Sequence, residues 1–301
     1  MTTNVPDRLA VCPAPDPNPR APTRLRMPWG AVDTHAHVIG APPEYPLIEN
    51  RSYTPPPATG EDYFRMLAAT GVTFAVLVQV SVHGTDNRLL TDMLGRYPER
   101  LRGIAVAPHD LPEREWLKMK EAGVVGLRLN TLSGGGIGLD HLDSYEALCA
   151  ELGWHLQFLT DTSRLDPVAS RLSKLRVPYI MDHMGHFAVS DGLESAGMQL
   201  MLKLMADGAW VKLSGAYRVS DAPDYADTVP FAQALIEAAP DRCVWGSDWP
   251  HPAYWGPMPN DGNLLDLLAD WAPDEAIRNA ILADNAHRLY GFPDSPVVGQ
   301  E

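Results

Sequence analysis

The sequence predicts one α/β domain, a single (β/α)8 barrel of the TIM type, from two observations. Eight short apolar segments lie between residues 31 and 247, and nearly all are followed by a segment with helical spacing of its apolar residues. The apolar segments are almost unbroken, as is typical of parallel strands covered on both faces. A doubly wound sheet is the alternative, but it would normally carry a glycine-rich phosphate turn after an early strand, whereas Gly134, Gly135 and Gly136 follow the fourth.

The predicted elements alternate in a regular order along the chain. A first strand at 31–38 is followed by a Pro-rich loop at 40–60, which is long enough to serve as a lid or a binding loop. Apolar residues at helical spacing then predict a helix at 61–70, and a run interrupted only by Gln79 predicts a strand at 73–80. The remaining strands are predicted at 102–107, 124–130, 154–160, 179–183, 209–214 and 243–247. The remaining helices are predicted at 87–97, 113–122, 141–152, 167–175, 197–206, 230–238, 264–271 and 274–289.

Composition narrows the class of protein. The 301 residues carry 24 Lys and Arg against 38 Asp and Glu, a formal charge of −14, which argues against a nucleic-acid partner. No apolar run is long enough to span a bilayer, and the three cysteines are scattered, which favours a cytoplasmic protein without a disulfide framework. We expect residues 1–29 to form an extended Pro-rich arm and residues 30–301 to form the barrel. The sequence also allows the protein to form a homo-oligomer.

The most informative motif is the pair His35 and His37 in the first predicted strand. Residues two apart on a strand point to the same face, so both imidazoles can enter one small volume. A lone His-x-His is weak evidence, because most such pairs are ordinary core or surface histidines. The functional interpretation of this pair is supported by other polar residues at the ends of predicted strands, because barrel enzymes place their catalytic groups there.

Several predicted strands end in residues that can carry chemistry. His183 follows Asp182 at the sixth strand, and Asp248 ends the eighth. Together with His35 and His37 they would meet at one face of the barrel, and we predict these four as the catalytic set. Candidate substrate-binding residues at the same face are Arg128, Arg218, Tyr53, Ser81, His186 and His251.

These motifs resemble the amidohydrolase superfamily, in its amidohydrolase family 2 and the lactonase branch of that family. The resemblance is carried by His35-Ala36-His37, Asp182-His183 and the segment 245–251, Trp-Gly-Ser-Asp-Trp-Pro-His. It covers nearly the whole chain from about residue 30. The resemblance implies a hydrolase that opens a lactone ring in the catabolism of aromatic compounds.

The chain departs from the binuclear members of that superfamily. Those members use a lysine after strand four and a histidine after strand five, where this chain has Arg128-Leu129-Asn130 and Leu159-Thr160-Asp161. The resemblance therefore implies either one divalent, zinc-like ion on His35, His37 and Asp248, with His183 optional, or metal-free catalysis in which the histidines stabilise the oxyanion. The two versions are equally supported, and neither needs an organic cofactor.

The expected substrate is a small anionic lactone of the muconolactone or pyrone type. Asp248 would act as general base toward water, and His35, His37 and His183 would polarise the carbonyl. Arg128 and Arg218 would hold the anionic group, since guanidinium presents a fork to carboxylate or sulfonate. The loop at 131–138 lacks the arginine that the pyrone dicarboxylate lactonases carry there, so we expect a different substrate.

Other functions fit the same barrel. One is a metal-dependent decarboxylase of an aromatic acid, which the missing histidine after strand five disfavours. Another is a sugar-lactone hydrolase or isomerase. A binding protein on a degenerate barrel is disfavoured because both histidines of the first strand and Asp248 are present.

Overall fold

The computed structural model describes residues 11–292, and it shows the predicted barrel. Eight parallel strands pair in chain order in one sheet. The last strand returns to the first through a bridge between Ala36 and Trp249 and a hydrogen bond from Thr34 Oγ1 to the Trp245 carbonyl (2.7 Å). The strands are β1 Val32–Ala36, β2 Phe74–Val78, β3 Leu101–Ala105, β4 Val124–Asn130, β5 His155–Leu159, β6 Tyr179–Met181, β7 Trp210–Leu213 and β8 Cys243–Trp245.

Helices follow nearly every strand and cover the outside of the barrel. They are α1 Gly60–Thr70, α2 Arg88–Arg96, α3 Glu113–Ala122, α4 Leu142–Leu152, α5 Asp166–Leu172, α6 Ala196–Ala206, α7 Ala216–Val219, α8 Val229–Ala238, α9 Asp261–Asp266, α10 Leu268–Trp271, α11 Glu275–Asn279 and α12 Asn285–Tyr290. The fold class is confirmed.

Local sequence explains where several helices begin and end. Thr59 and Asp62 form a capping box at the start of α1, and Gly71 ends that helix with φ of 78°. Asn260 caps α9 by accepting from the Gly262 amide, so this helix begins at Asp261 rather than at the predicted residue 264. The helix predicted at 274–289 is divided by one wide turn at Ala280–Asp284, which apolar spacing does not reveal.

The strands are buried on both faces, as their composition predicts. Along β2, Phe74, Val76 and Val78 point into the barrel interior, while Ala75 and Leu77 pack against the helices. This arrangement leaves the strand ends, and the loops that follow them, as the places where polar side chains can converge.

The described part of the N-terminal arm is tied to the barrel. Cys12 is 2% exposed, and its amide donates to the Thr54 carbonyl in the long loop after β1 (2.9 Å). The Asp266 carboxylate accepts from the backbone amides of Thr23 and Arg24 at 2.7–2.9 Å. Residues 1–10 of the predicted arm and 293–301 of the predicted barrel domain lie outside the described residues. Within residues 11–292, no helix is long and apolar enough to cross a membrane.

His155 makes the barrel sensitive to acid at a point away from the strand ends that carry the predicted site. It begins β5, is 2% exposed and packs edge-on against the Tyr290 ring at 5.2 Å. Burial, with the charge of Lys212 as a second cause, lowers the pKa of His155 to about 3. The unfolded chain, with an ordinary histidine, therefore binds more protons than the folded chain between about pH 6.5 and pH 3.

We expect His155→Leu to lose less stability on acidification than the parent protein. Because the pKa of His155 is lower in the folded protein than in the unfolded chain, its contribution to the free energy of unfolding is lost as the pH falls through this window. Between pH 7 and pH 4, the parent protein should therefore lose about 3 kcal/mol more of its free energy of unfolding than His155→Leu. Urea unfolding at pH 7 and pH 4 measures both free energies of unfolding. Parallel pH profiles for the two proteins would contradict the assignment.

Candidate active site

The loops at the carboxyl ends of the strands bring the four predicted catalytic side chains together. His35, His37, His183 and Asp248 are each at most 3% exposed. Asp248 Oδ1 lies 3.8 Å from His35 Nε2 and 3.7 Å from His37 Nε2, and Asp248 Oδ2 lies 3.9 Å from His183 Nε2. One carboxylate is thus surrounded by three imidazoles.

Backbone contacts between the first and last strands fix the position of Asp248. Its amide donates to the His35 carbonyl (2.7 Å), and its carbonyl accepts from the His251 amide (2.7 Å). Asp248 and His251 adopt φ of 63° and 60°, in the left-handed region that costs a residue with a side chain about 1–3 kcal/mol. Strain of this kind persists where the surrounding contacts hold the backbone, and these two hydrogen bonds hold the turn that carries Asp248.

Asp33 supports the same turn and was not predicted as a site residue. Its carboxylate accepts from the Ser247 amide (2.8 Å), the His35 amide (3.1 Å) and the Tyr63 hydroxyl (2.9 Å). Burial raises the pKa of Asp33 to about 6, against the opposing effect of these hydrogen bonds. The signal in the sequence is an acidic residue inside an apolar strand, two positions before His35.

The two oxygens of Asp248 have different surroundings. Oδ2 accepts from the Tyr217 hydroxyl (2.6 Å) and from Arg218 Nε, whereas Oδ1 is buried without a hydrogen-bond partner among the described residues. Burial works to raise the pKa of Asp248, but the charge of Arg218 holds it well below its usual range. The carboxylate is therefore ionised and presents Oδ1 to the site.

The histidines around it are neutral near pH 7, because burial lowers the pKa of each. His37 Nδ1 lies 2.8 Å from the Val78 carbonyl, which can only accept, so Nδ1 carries the proton and Nε2 keeps its lone pair. His183 Nδ1 lies 2.9 Å from Ser214 Oγ. His37 is thus in the form that can bind a cation.

The residues fit a single divalent ion. His35 Nε2 and Asp248 Oδ1 have no partner inside the described protein, and His37 Nε2 faces the same Oδ1. Asp248 Oδ1 lies 3.8 Å from His35 Nε2 and 3.7 Å from His37 Nε2, close to the separation of neighbouring ligands that are each about 2 Å from one zinc ion. His35, Asp182 and His183 form a second such group. Lys212 Nζ lies 3.5 Å from Asp182 Oδ1, and its positive charge opposes a cation there.

A second buried network lies directly behind His35. Asp182 Oδ2 accepts from Arg128 Nε (3.1 Å) and Gln157 Nε2 (3.0 Å), and Asp182 Oδ1 lies 3.3 Å from His35 Nδ1. Lys212 Nζ lies 3.2 Å from the same Nδ1 and donates to Gln157 Oε1 (2.7 Å). Burial lowers the pKa of Lys212 to about 8. Gln157 and Lys212 were not predicted for the site, although a lysine inside the apolar segment 209–214 was a visible signal.

A small pocket, with a volume of about 60 Å³, opens onto these groups. Five of the six predicted substrate-binding residues line it, and the lining side chains include Tyr53, Ser81, Arg128, Arg218, His186, Leu132, Leu159 and Pro252. His251 does not line it. This ring is 0% exposed and lies behind Tyr217, with Nδ1 3.1 Å from the Tyr217 hydroxyl.

Both pocket arginines are anchored by site carboxylates. Arg128 contacts Asp182 through Nε and Nη2 (both 3.1 Å), while Arg218 contacts Asp248 through Nε and the Pro252 carbonyl through Nη2 (2.9 Å). Within residues 11–292, Nη1 of neither arginine donates a hydrogen bond. Each guanidinium is therefore held rigidly with one nitrogen left for a ligand.

The protein is a parallel barrel with one carboxylate and three imidazoles at its strand ends. This fold and this site define it as an enzyme of the hydrolase class. The chain belongs to the amidohydrolase family, whose pattern it matches over residues 32–292. The predictions of an enzyme and of this family are confirmed.

Curated relatives cover most of the chain. It is 38% identical over 277 residues to a 4-sulfomuconolactone hydrolase of Hydrogenophaga intermedia, covering 90% of this chain and 91% of that one. It is 33% identical over 286 residues to a 2-pyrone-4,6-dicarboxylate hydrolase of Comamonas testosteroni, covering 91% and 93%. A solved structure of a probable 2-pyrone-4,6-dicarboxylic acid hydrolase of Acinetobacter baumannii, with citric acid bound, superposes with a TM-score of 0.78 at 28% identity, covering 87% and 100%.

Proposed function

We propose that this protein hydrolyses the ring ester of a small anionic lactone in the catabolism of aromatic compounds. The observation that carries the proposal is the arrangement of Asp248. One of its oxygens is saturated by Tyr217 and Arg218, and the other is left without a partner beside a pocket with two anchored guanidinium groups. The lactone hydrolases among the relatives support the same reaction.

In the proposed reaction, water adds to the ring carbonyl carbon and Asp248 Oδ1 takes the proton that the water loses. The ester C–O bond then breaks, and Asp248 returns this proton to the ring oxygen as it leaves, so that a hydroxy acid forms. Negative charge develops on the carbonyl oxygen beside this carboxylate, and the buried imidazoles of His35 and His183, whose Nε2 atoms lie next to it, are the histidine groups that could donate to that oxygen. His37 cannot do so, because its proton is on Nδ1.

His35, His37 and Asp248 would hold one divalent ion, with His183 adjacent, and this mixed nitrogen and oxygen ligand set suits zinc. Such an ion would polarise the carbonyl and lower the pKa of water.

We expect purified protein to contain about one zinc-class ion per chain. A chelator should remove this ion with at least a roughly tenfold loss of activity, which added zinc should restore. Metal analysis and activity are measured before and after chelation, and His37→Gln serves as a variant with reduced metal content. Full activity in metal-free protein would contradict this and would leave His35 and His183 to stabilise the oxyanion.

The pocket arginines favour a substrate that carries a carboxylate or a sulfonate. The two available Nη1 atoms of Arg128 and Arg218 can each donate to an anionic group, and the Tyr53 hydroxyl, bonded to Ser81 Oγ (3.1 Å), faces the same space. The loop at 131–138 contains no arginine, so we propose a muconolactone-type substrate in preference to the pyrone dicarboxylate.

The experiment is a ring-opening assay with muconolactones, pyrones and sugar lactones, each compared with a neutral analogue that lacks the anionic group. We expect kcat/KM for an anionic lactone to exceed that of its neutral counterpart at least about tenfold, since a buried donor is otherwise left unpaired. Failure to open any lactone of the panel would overturn the proposal.

A further inference from the structure

A chain of buried polar groups leads from Asp248 away from the pocket to α9. Tyr217 donates its hydroxyl proton to Asp248 Oδ2 (2.6 Å), and His251 Nδ1 lies 3.1 Å from the Tyr217 oxygen. On the other side of the imidazole, His251 Nε2 lies 3.3 Å from Asp261 Oδ1, in the first turn of α9. Tyr217, His251 and Asp261 are at most 4% exposed. We call these three residues the relay.

The directions of the hydrogen bonds follow from the groups present. The Tyr217 hydroxyl has one proton, and the ionised Asp248 is the stronger acceptor, so the Tyr217 oxygen must accept from His251 Nδ1–H. His251 Nε2 then faces a carboxylate oxygen. Neither His251 Nε2 nor Asp261 Oδ1 has a hydrogen-bond partner elsewhere among the described residues, and the two atoms lie 3.3 Å apart, so the relay requires a hydrogen bond between them.

The relay constrains the oxygen of Asp248 that the chemistry does not use. Arg218 Nε and the Tyr217 hydroxyl both reach Oδ2, and the Tyr217 position depends on His251, which in turn depends on Asp261. A carboxylate held through Oδ2 presents Oδ1 in one direction, which lowers the reorganisation needed in the transition state. Removing the far end of the relay should therefore affect the reaction without any contact with substrate.

We propose that Tyr217, His251 and Asp261 are positioning residues that orient Asp248 for lactone hydrolysis, with Asp261 as the anchor. This role rests on the proposed function. It also accounts for His251, which the sequence places near the site and which the structure buries behind Tyr217.

The test replaces the anchor and compares it with a matched residue on the same helix. Asp261→Leu removes the partner of His251, and we expect kcat to fall about 10- to 100-fold with KM little changed, as for the loss of other residues that orient a catalytic ligand. Asp261→Asn keeps a polar partner for Nε2 and should recover part of kcat. The control is Asp266→Leu, since Asp266 is also buried on α9 but binds the N-terminal arm. Asp266→Leu should lower the melting temperature and leave kcat unchanged.

A double-mutant cycle separates positioning from general damage to the fold. If Asp261 acts through Tyr217, then Asp261→Leu has no further effect on kcat in a Tyr217→Phe background. Equal losses of kcat in Asp261→Leu and Asp266→Leu, or additive losses with Tyr217→Phe, would overturn the proposal.

A readout independent of activity keeps the relay testable if the proposed function fails. In ¹⁵N-histidine-labelled protein, we expect a hydrogen-bonded proton on His251 Nε2, the nitrogen that faces Asp261, and we expect this signal to disappear in Asp261→Leu and to persist in Asp266→Leu. A wild-type protein that opens no lactone but shows this signal would overturn the function and keep the hydrogen-bonded chain. Absence of the signal from wild type would overturn the relay itself.

Discussion

Asp248→Asn is expected to lower kcat by at least about 1,000-fold while leaving the protein folded. An amide cannot take the proton that attacking water loses. It can still fill the space, because its oxygen can accept from Tyr217 and Arg218 as Oδ2 does, while its NH2 group can donate to the lone pair of His37 Nε2. The variant therefore removes the proposed base with little change in packing.

The measurement is kcat on the best lactone of the panel, together with the melting temperature. Asp161→Asn is the matched control, since Asp161 also follows a strand end but accepts from the Ser163 amide and does not line the pocket. We expect its kcat to equal that of the parent. An Asp248→Asn protein with more than about a tenth of the parent kcat would contradict the role of Asp248 as general base.

The barrel, and the positions of Asp248 and the three histidines around it, could be predicted because each depends on local pattern and on one rule of topology. Strand and helix periods are read over a few residues, and parallel strands in a barrel end at the same face. Each of the four predicted catalytic residues lies at or just after the end of an apolar segment. The fold alone therefore predicts that their side chains lie close together; the four are His35, His37, His183 and Asp248.

The support around these residues could not be predicted in the same way, because it consists of pairings between distant strands. Lys212 reaches Gln157 and His35 across 55 and 177 residues of sequence, and no short window contains such a pair. Arg218 was predicted to bind substrate, and the structure shows that its Nε is committed to Asp248. A strand-end residue can thus be located from the sequence while its partners remain hidden.

Asp182→Asn is expected to cost the largest amount of stability of any single change at this site. Asp182 is completely buried and is the carboxylate shared by two buried cations, Arg128 and Lys212, at 3.1 and 3.5 Å. Burial would raise its pKa, but His35, Lys212 and Arg128 hold the pKa well below its ordinary range. Removing one partner of a buried ion pair leaves uncompensated charge, and we expect a loss of about 3–5 kcal/mol in the free energy of unfolding.

Urea unfolding measures this loss, and Asp143→Asn provides the contrast. The Asp143 side chain is 87% exposed and pairs with Arg171 at the surface, so its neutralisation should cost at most about 1 kcal/mol. Equal losses in the two variants would contradict the assignment of Asp182 as a buried counter-ion.

The double variant Asp182→Asn with Lys212→Met tests the cause of that loss. If the cost comes from an unpaired buried cation, removing the Lys212 ammonium should restore part of the stability, because methionine fills similar space without a charge. The two changes should then be less than additive by about 1–3 kcal/mol. Additive losses would instead mean that Asp182 stabilises the barrel through its hydrogen bonds to Arg128 and Gln157. In that case Lys212 would be a tolerated charge in the interior rather than the partner of this carboxylate.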